Sequence, residues 1–150
     1  MSGCGDDPVT LSGRSLHPGQ ANGVVLALDE PLSFWGGVDP CGVIVDAHHP
    51  QRGSTVAGQV LAMQAGRGSS SSTAVLAELI RSGHAPAALL LAECDAILVI
   101  GALVAAEIYG TTLPIVQLAH DDLARLHTGT RAAVLAHTAP LAASVIAKSR

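Results

Sequence analysis

One stretch of the chain combines residue types that could bind and activate a small anion. Residues 66–72 have the sequence GRGSSSS, which places Arg67 among glycines and hydroxyl groups. Glycine lets a backbone approach a ligand closely, and free N–H groups at the start of a helix attract anions. A serine hydroxyl becomes a base when positive charge and N–H groups stabilise its conjugate base. The stretch is therefore a candidate site, with a flexible Gly/Ser linker as the structural alternative.

The flanking sequence predicts the elements that must position this stretch. An apolar run over residues 60–63 precedes it and is typical of a buried strand. An amphipathic pattern predicts a helix over residues 72–82, with Gly83 placed to cap its C-terminus. Because linkers rarely join a strand directly to a helix, the pattern favours a functional loop at the carboxyl end of a strand.

A second candidate element is the segment 30–40, which holds two of the three aromatic residues, Phe34 and Trp35. A disordered segment would not usually hold these residues together, so the composition predicts an ordered loop. Two roles remain open, a plug that caps one end of the core and a wall of the site. The candidate site-lining residues are Ser33, Phe34, Trp35, Gly36, Gly37 and Asp39.

The motifs of self-sufficient enzymes are absent from the chain. The sequence contains no GxGxxG, no phosphate-binding P-loop, no GxSxG elbow and no HExxH. His48 and His49 are adjacent, so on an extended chain they point in different directions and favour a surface or hydrogen-bonded role over metal binding. The sequence therefore predicts no metal site on this chain, and the rest of an active site would come from another chain.

Composition excludes several classes of partner. The chain has 150 residues, a net charge of −4 and no basic cluster or aromatic platform, which argues against nucleic-acid binding. The apolar stretch 87–109 is interrupted by Glu93, Asp95 and Glu107, so a buried strand and helix explain it better than a membrane span. With 49% hydrophobic residues and three aromatics, the core must be built from Ala, Val, Leu and Ile.

Cysteine usage and the first residues indicate a cytoplasmic protein. The chain has three cysteines that are far apart and show neither a disulfide framework nor a CxxC pair. This fits a reducing compartment. The first residues lack the basic and apolar regions of a signal peptide.

The remaining pattern predicts an α/β fold in one domain with a core over residues 18–135 and loose ends on either side. A three-layer α/β domain and a compact barrel-like β/α domain both fit. Strands are predicted over residues 22–29, 43–46, 56–63, 87–91, 96–100, 113–118 and 131–135. Helices are predicted over 72–82, 101–109 and 121–126, with a loose end before residue 13 and a weak helix or frayed tail over 139–148.

The sequence resembles the swivel domain, or small subunit, of the aconitase X group. The resemblance covers about residues 18–135 and is most specific in the combination of SFWGGVDP with GRGSS. Its motifs are SFWGGVDP at 33–40 (preceded by EPL), HP at 49–50, GRGSS at 66–70, HAPA at 84–87, GALVAAE at 101–107 and PIV at 114–116.

The resemblance implies a fold and a role. It implies a single swivelling β/β/α domain that closes over a large subunit, and that subunit carries an iron or iron–sulfur site. The first serine of GRGSS, here Ser69, corresponds to the family's proton-abstracting serine. Our mechanistic hypothesis adds Arg67 and the N–H groups of residues 68–70, including Gly68 and Ser70, as the groups that hold a substrate carboxylate.

The resemblance leaves the substrate open. Bacterial members dehydrate cis-3-hydroxy-L-proline to Δ1-pyrroline-2-carboxylate, and archaeal members dehydrate 5-phosphomevalonate. The Ala- and Arg-rich composition favours the bacterial reaction. The alternative of another class is a non-catalytic module that binds a small anion or a partner chain.

One departure from the family pattern lies after the double glycine. Relatives commonly have Asp-Pro-x-Thr-Gly, whereas this chain has Asp39-Pro40-Cys41-Gly42, which is one residue shorter and lacks the threonine. Any role of that threonine is vacant. We interpret Cys41 as a small buried residue in a turn, with a position facing the partner's metal as the alternative.

Overall fold

The framework is a closed barrel in the computed structural model, which describes residues 7–138 and 141–148. The strands are β1 Val9–His17, β2 Gly19–Ala27, β3 Val60–Met63, β4 Ala88–Leu91, β5 Ile115–Gln117, β6 Arg131–Ala136 and β7 Ala142–Lys148. The helices are α1 Phe34–Gly37, α2 Ser72–Ser82, α3 Ala96–Tyr109 and α4 His120–Leu123.

Around the barrel, the strand order is β1-β5-β4-β3-β2-β6-β7, and β7 pairs with β1. Strands β2, β3, β4 and β5 are parallel neighbours, whereas the pairs that involve β1, β6 and β7 are antiparallel. The α/β class is confirmed, and of the two predicted forms the structure has the barrel-like one.

The two central parallel strands, β3 and β4, are buried on both faces, as their uninterrupted apolar sequences predict. The buried side chains form two clusters, one between the barrel and the helices and one inside the barrel. Along β4, Leu89 belongs to the first cluster and Leu90 to the second. In β3, Leu61 and Ala62 divide in the same way between the two clusters. The barrel interior is filled mainly by alanine, valine and leucine, as the composition predicts.

Helices α2 and α3 pack side by side on this sheet. The Thr73 hydroxyl donates to the carbonyl oxygen of Ile97 at 2.9 Å. A Cβ at Gly101 would lie 3.0 Å from the carbonyl oxygen of Thr73, so the close approach of the helices favours glycine there. Asp95 caps α3 by accepting hydrogen bonds from the backbone N–H groups of Ile97 and Leu98.

Four predicted elements are wrong. Residues 96–100 form the first turns of α3, because Asp95 caps a helix there and a short apolar run does not distinguish strand from helix. The predicted loose end before residue 13 overlaps β1, and the predicted tail over 139–148 includes β7; residues 139 and 140 lie outside the described part. Residues 43–46 make only isolated bridges, at Val43 and Ile44.

The predicted helix over 72–82 is confirmed, and Gly83 caps it with φ of 79°. The apolar stretch 87–109 divides into β4 and α3. Helix α3 has 14 residues, and none of the described helices is both long and apolar enough to span a membrane.

Candidate functional site

The loop between β3 and α2 lies at the carboxyl end of β3, whose two neighbours β2 and β4 are parallel to it. Ligands in parallel α/β folds commonly bind at this edge of the sheet. The loop is held by a parallel bridge between Leu32 and Gly66. The Arg67 N–H also donates to the carbonyl oxygen of Leu32 at 3.1 Å. These contacts argue against a flexible linker.

Residues 68–70 of the loop leave a run of backbone N–H donors available. The N–H groups of Ser71 and Ser72 donate to the hydroxyl and the carbonyl oxygen of Ser69, at 3.3 and 2.9 Å. Within the described residues, the N–H groups of residues 68–70 donate to no protein acceptor. Consecutive free N–H groups form a concave site suited to an anion.

The side chains of this loop fit the same chemistry. Ser69 is half-buried, and Arg67, Gly68 and Ser70 are exposed. Among the described residues, the Arg67 guanidinium forms no ion pair, so its charge is not neutralised by the chain. The structure thus places the hydroxyl, the arginine and the free N–H groups within four consecutive residues.

Segment 30–40 contacts the loop, and its two aromatic residues differ in their exposure. The Trp35 N–H donates to the hydroxyl of Ser72 at 3.2 Å, and Ser72 is buried. Phe34 is buried in the core, as a plug would be, whereas Trp35 is 58% exposed. Phe34 therefore fills the plug role, and the site-lining role of Trp35 stays a prediction.

The other predicted lining residues shape this segment. The Ser33 hydroxyl donates to the carbonyl oxygen of Trp35 at 2.9 Å. Gly36 has φ of 77°, which favours glycine, and Gly37 is buried. Asp39 accepts hydrogen bonds from the N–H groups of Cys41 and Val43, at 2.8 and 2.9 Å, so its side-chain hydrogen bonds lie within its own turn.

The prediction that Cys41 is buried is wrong. The residue lies in a turn as expected, where its N–H donates to the carboxylate of Asp39, but its side chain is exposed. In the described part of the chain, no group of three or more His, Cys, Asp or Glu could hold a metal ion. Exposed Cys41 and Cys94 are single thiols there.

Two features of the site were not predicted. A Cβ at Gly66 would overlap Oδ2 of Asp95, so the cap of α3 presses against the start of the loop. The sequence feature that could have indicated this contact is an Asp directly before an apolar helix. A cavity of about 350 Å³ also opens at the carboxyl ends of β2 and β3, and its polar lining includes Asp29, Gln64, His120 and His127.

Replacing Ser72 by alanine should destabilise the fold by about 1 kcal/mol, because the Trp35 N–H loses its acceptor. Ser71→Ala is the matched control, since the exposed Ser71 side chain makes no capping hydrogen bond. Urea unfolding followed by the fluorescence of Trp35, the single tryptophan, measures both variants. Equal midpoints for the two variants would contradict the proposed link between the segments.

Comparison with known proteins places this arrangement in a family. The barrel with two packed helices and a Gly/Ser loop at the carboxyl end of β3 defines a compact α/β domain. Residues 10–141 match the family model described as aconitase X swivel domain. The chain belongs to the aconitase X swivel-domain family.

Curated relatives carry two different names. A cis-3-hydroxy-L-proline dehydratase from Pseudomonas aeruginosa is 49% identical over 114 residues, which are 74% of this chain and 20% of that protein. A phosphomevalonate dehydratase small subunit from Thermococcus gammatolerans is 38% identical over 122 residues, covering 81% of this chain and 87% of that one. The chain therefore spans about a fifth of the first relative and most of the second.

A solved structure has the same fold. The crystal structure of Thermococcus kodakaraensis aconitase X in its holo-form aligns with a TM-score of 0.77 and 30% identity. The alignment covers 91% of this chain and 98% of that chain.

Proposed function

We propose that this chain is the small subunit of a heterodimeric aconitase X-type dehydratase, a hydro-lyase that is active only with a large subunit. The observation that carries the proposal is the half-buried Ser69 beside the Arg67 guanidinium and the N–H groups of residues 68–70, for which the described residues provide no partner. Such a loop can bind a carboxylate and accept a proton, but it lacks the rest of an active site. A cytoplasmic location is part of this proposal.

In the proposed reaction, Ser69 removes the proton from the α-carbon of the substrate. The Arg67 guanidinium and the N–H groups of residues 68–70 hold the carboxylate and stabilise the negative charge that develops on it. The electron pair of the broken C–H bond forms a C2–C3 double bond as the C3–O bond breaks, and the hydroxyl group takes up a proton and leaves as water. With cis-3-hydroxy-L-proline the resulting enamine tautomerises, losing a proton from nitrogen and gaining one at C3, to give the Δ1 product. Closure of the domain over the partner excludes solvent from the reacting atoms.

The substrate that we propose is cis-3-hydroxy-L-proline, with Δ1-pyrroline-2-carboxylate as the product. The supporting observation is the 49% identity to the Pseudomonas aeruginosa relative. The second candidate is (R)-5-phosphomevalonate. It is supported by the 38% identity to the Thermococcus gammatolerans small subunit.

The iron or iron–sulfur cluster implied by the resemblance does not fit the described residues of this chain, which offer no group of three ligands. We assign it to the large subunit, and the steps proposed for this chain do not involve it.

Co-expression with a large aconitase X-type subunit tests the proposal. The purified pair is given each candidate substrate, and loss of substrate and formation of product are followed by NMR. We expect dehydration of cis-3-hydroxy-L-proline. A pair that assembles with its metal and consumes neither substrate would reject the dehydratase assignment and favour a non-catalytic module.

Arg67→Lys should raise the KM of the pair about tenfold, because lysine cannot form the planar two-bond contact that arginine makes with a carboxylate. Steady-state kinetics measures this change. Arg131→Lys, at an exposed position of β6 on a different element, is the control. An unchanged KM in Arg67→Lys would mean that the guanidinium does not bind the substrate carboxylate.

A further inference from the structure

His49 is a buried histidine whose two ring nitrogens both have partners. It is 5% exposed. Its Nε2 lies 3.0 Å from the carbonyl oxygen of Glu30, and its Nδ1 lies 3.1 Å from the backbone N–H of Gln51. A carbonyl can only accept and an N–H can only donate, so the geometry assigns the neutral tautomer with hydrogen on Nε2.

A second side chain of the same turn, that of Gln51, binds Asp29, the residue before Glu30. The amide of Gln51 accepts from the Asp29 N–H at 3.2 Å and donates to Oδ2 of Asp29 at 2.7 Å. The turn around His49 therefore holds residues 29 and 30 by three side-chain hydrogen bonds. Pro31 follows and has no N–H to add to this contact.

The opposite side of segment 28–35 lies along β3 and the loop that follows it. The Leu28 N–H donates to the carbonyl oxygen of Ala62 at 2.8 Å. Leu32 accepts from the Arg67 N–H at 3.1 Å, and the Trp35 N–H donates to Ser72 at 3.2 Å. Residues 29–31 make none of these contacts, so the His49 turn holds the middle of the segment.

We infer that His49 is a positioning residue for the Arg67–Ser69 loop and acts through segment 28–35. A shift of Glu30 would move Leu32, which is bonded to the loop at both Gly66 and Arg67. The ring of His49 forms its hydrogen bonds with Glu30 and Gln51, outside the loop. The inference deepens the proposed function and rests on it only for the effect on catalysis.

Three variants and one matched control test the inference. His49→Ala removes both hydrogen bonds. His49→Gln can keep a donor near the position of Nε2, and His49→Asn can keep an acceptor near the position of Nδ1. His48→Ala is the control, because His48 is adjacent and exposed. The partial variants keep the test valid if the alanine variant does not fold.

The first readout does not depend on activity. Amide hydrogen exchange of Arg67 reports whether Leu32 keeps its hydrogen bond, and iodide quenching of Trp35 reports the position of the segment. We expect faster exchange and altered quenching in His49→Ala, and in His49→Asn if the bond to Glu30 dominates, with no change in His48→Ala. Unchanged exchange of Arg67 in folded His49 variants would overturn the inference.

The second readout is the kinetics of the assembled pair. A displaced loop should lower kcat about tenfold and raise KM as well, because the loop carries both the proposed base and the groups that hold the carboxylate. His49→Gln should recover part of kcat. An unchanged kcat in His49→Ala would also overturn the inference. Should the wild-type pair prove inactive, the proposed function fails, and hydrogen exchange still decides the role of His49.

Discussion

Replacing Ser69 by alanine is expected to lower the kcat of the assembled pair about a thousandfold. The reason is the loss of the proposed base, since a positioned proton acceptor contributes roughly 10²–10⁴ to the rate. KM should change little, because Arg67 and the N–H groups of residues 68–70 remain. Product formation by the pair under saturating substrate measures the effect.

Assembly and stability should survive the change at Ser69. Within the described residues, its hydroxyl accepts a single long hydrogen bond, 3.3 Å from the Ser71 N–H. The control Ser71→Ala retains that N–H and should keep nearly all activity. If Ser69→Ala turns over at the rate of the wild-type pair, the base lies elsewhere.

Replacing Gly66 by alanine is expected to lower kcat about a hundredfold. The new methyl group would overlap Oδ2 of Asp95, whose other oxygen caps α3, and it would lie 3.2 Å from Cδ1 of Leu98. Either the loop or the cap must move, and a displacement of about 1 Å at reacting groups can cost this much. Kinetics and thermal melting of the same preparation separate the two responses.

A second substitution identifies the source of the clash. Asp95→Ser removes the distal oxygen and keeps a residue that caps helices well. Asp95→Ser alone should change kcat very little. Combined with Gly66→Ala, it should restore most of the kcat that Gly66→Ala loses. The coupling between the two positions is the quantity of interest. Strict additivity would mean that Asp95 is not what excludes a side chain at residue 66.

Local patterns were sufficient where one helix or strand is determined by its own sequence. Helix α2 has the predicted bounds because its apolar face and Gly83 act within a few residues. Strand β4 is apolar throughout, so its burial on both faces was also predictable.

Strands β1 and β7 were not predictable in this way, because they are stabilised by partners far along the chain. β7 alternates buried and exposed residues, but its buried positions are Ala143, Val145 and Ala147, and alanine gives a weak signal. Its pairing with β1 joins residues more than a hundred positions apart. Tertiary pairing outweighed local preference at both ends.

The site was predictable as a set of residues and not as an arrangement. The motif indicated residues 67–70, and their free N–H groups agree with the predicted chemistry. The contacts from Asp95, Trp35 and the turn around His49 come from three other parts of the fold. None of these contacts has a fixed spacing in the sequence that would reveal it.

Closure of the barrel has a consequence for how another protein can bind this one. Each described strand pairs on both sides, so the sheet offers no unpaired edge that an incoming strand could extend. A partner must therefore use side chains, loops and helix surfaces. Contacts of that kind exchange readily with water. A domain bound in this way can separate and rebind many times, because no ladder of backbone hydrogen bonds shared with the partner has to break.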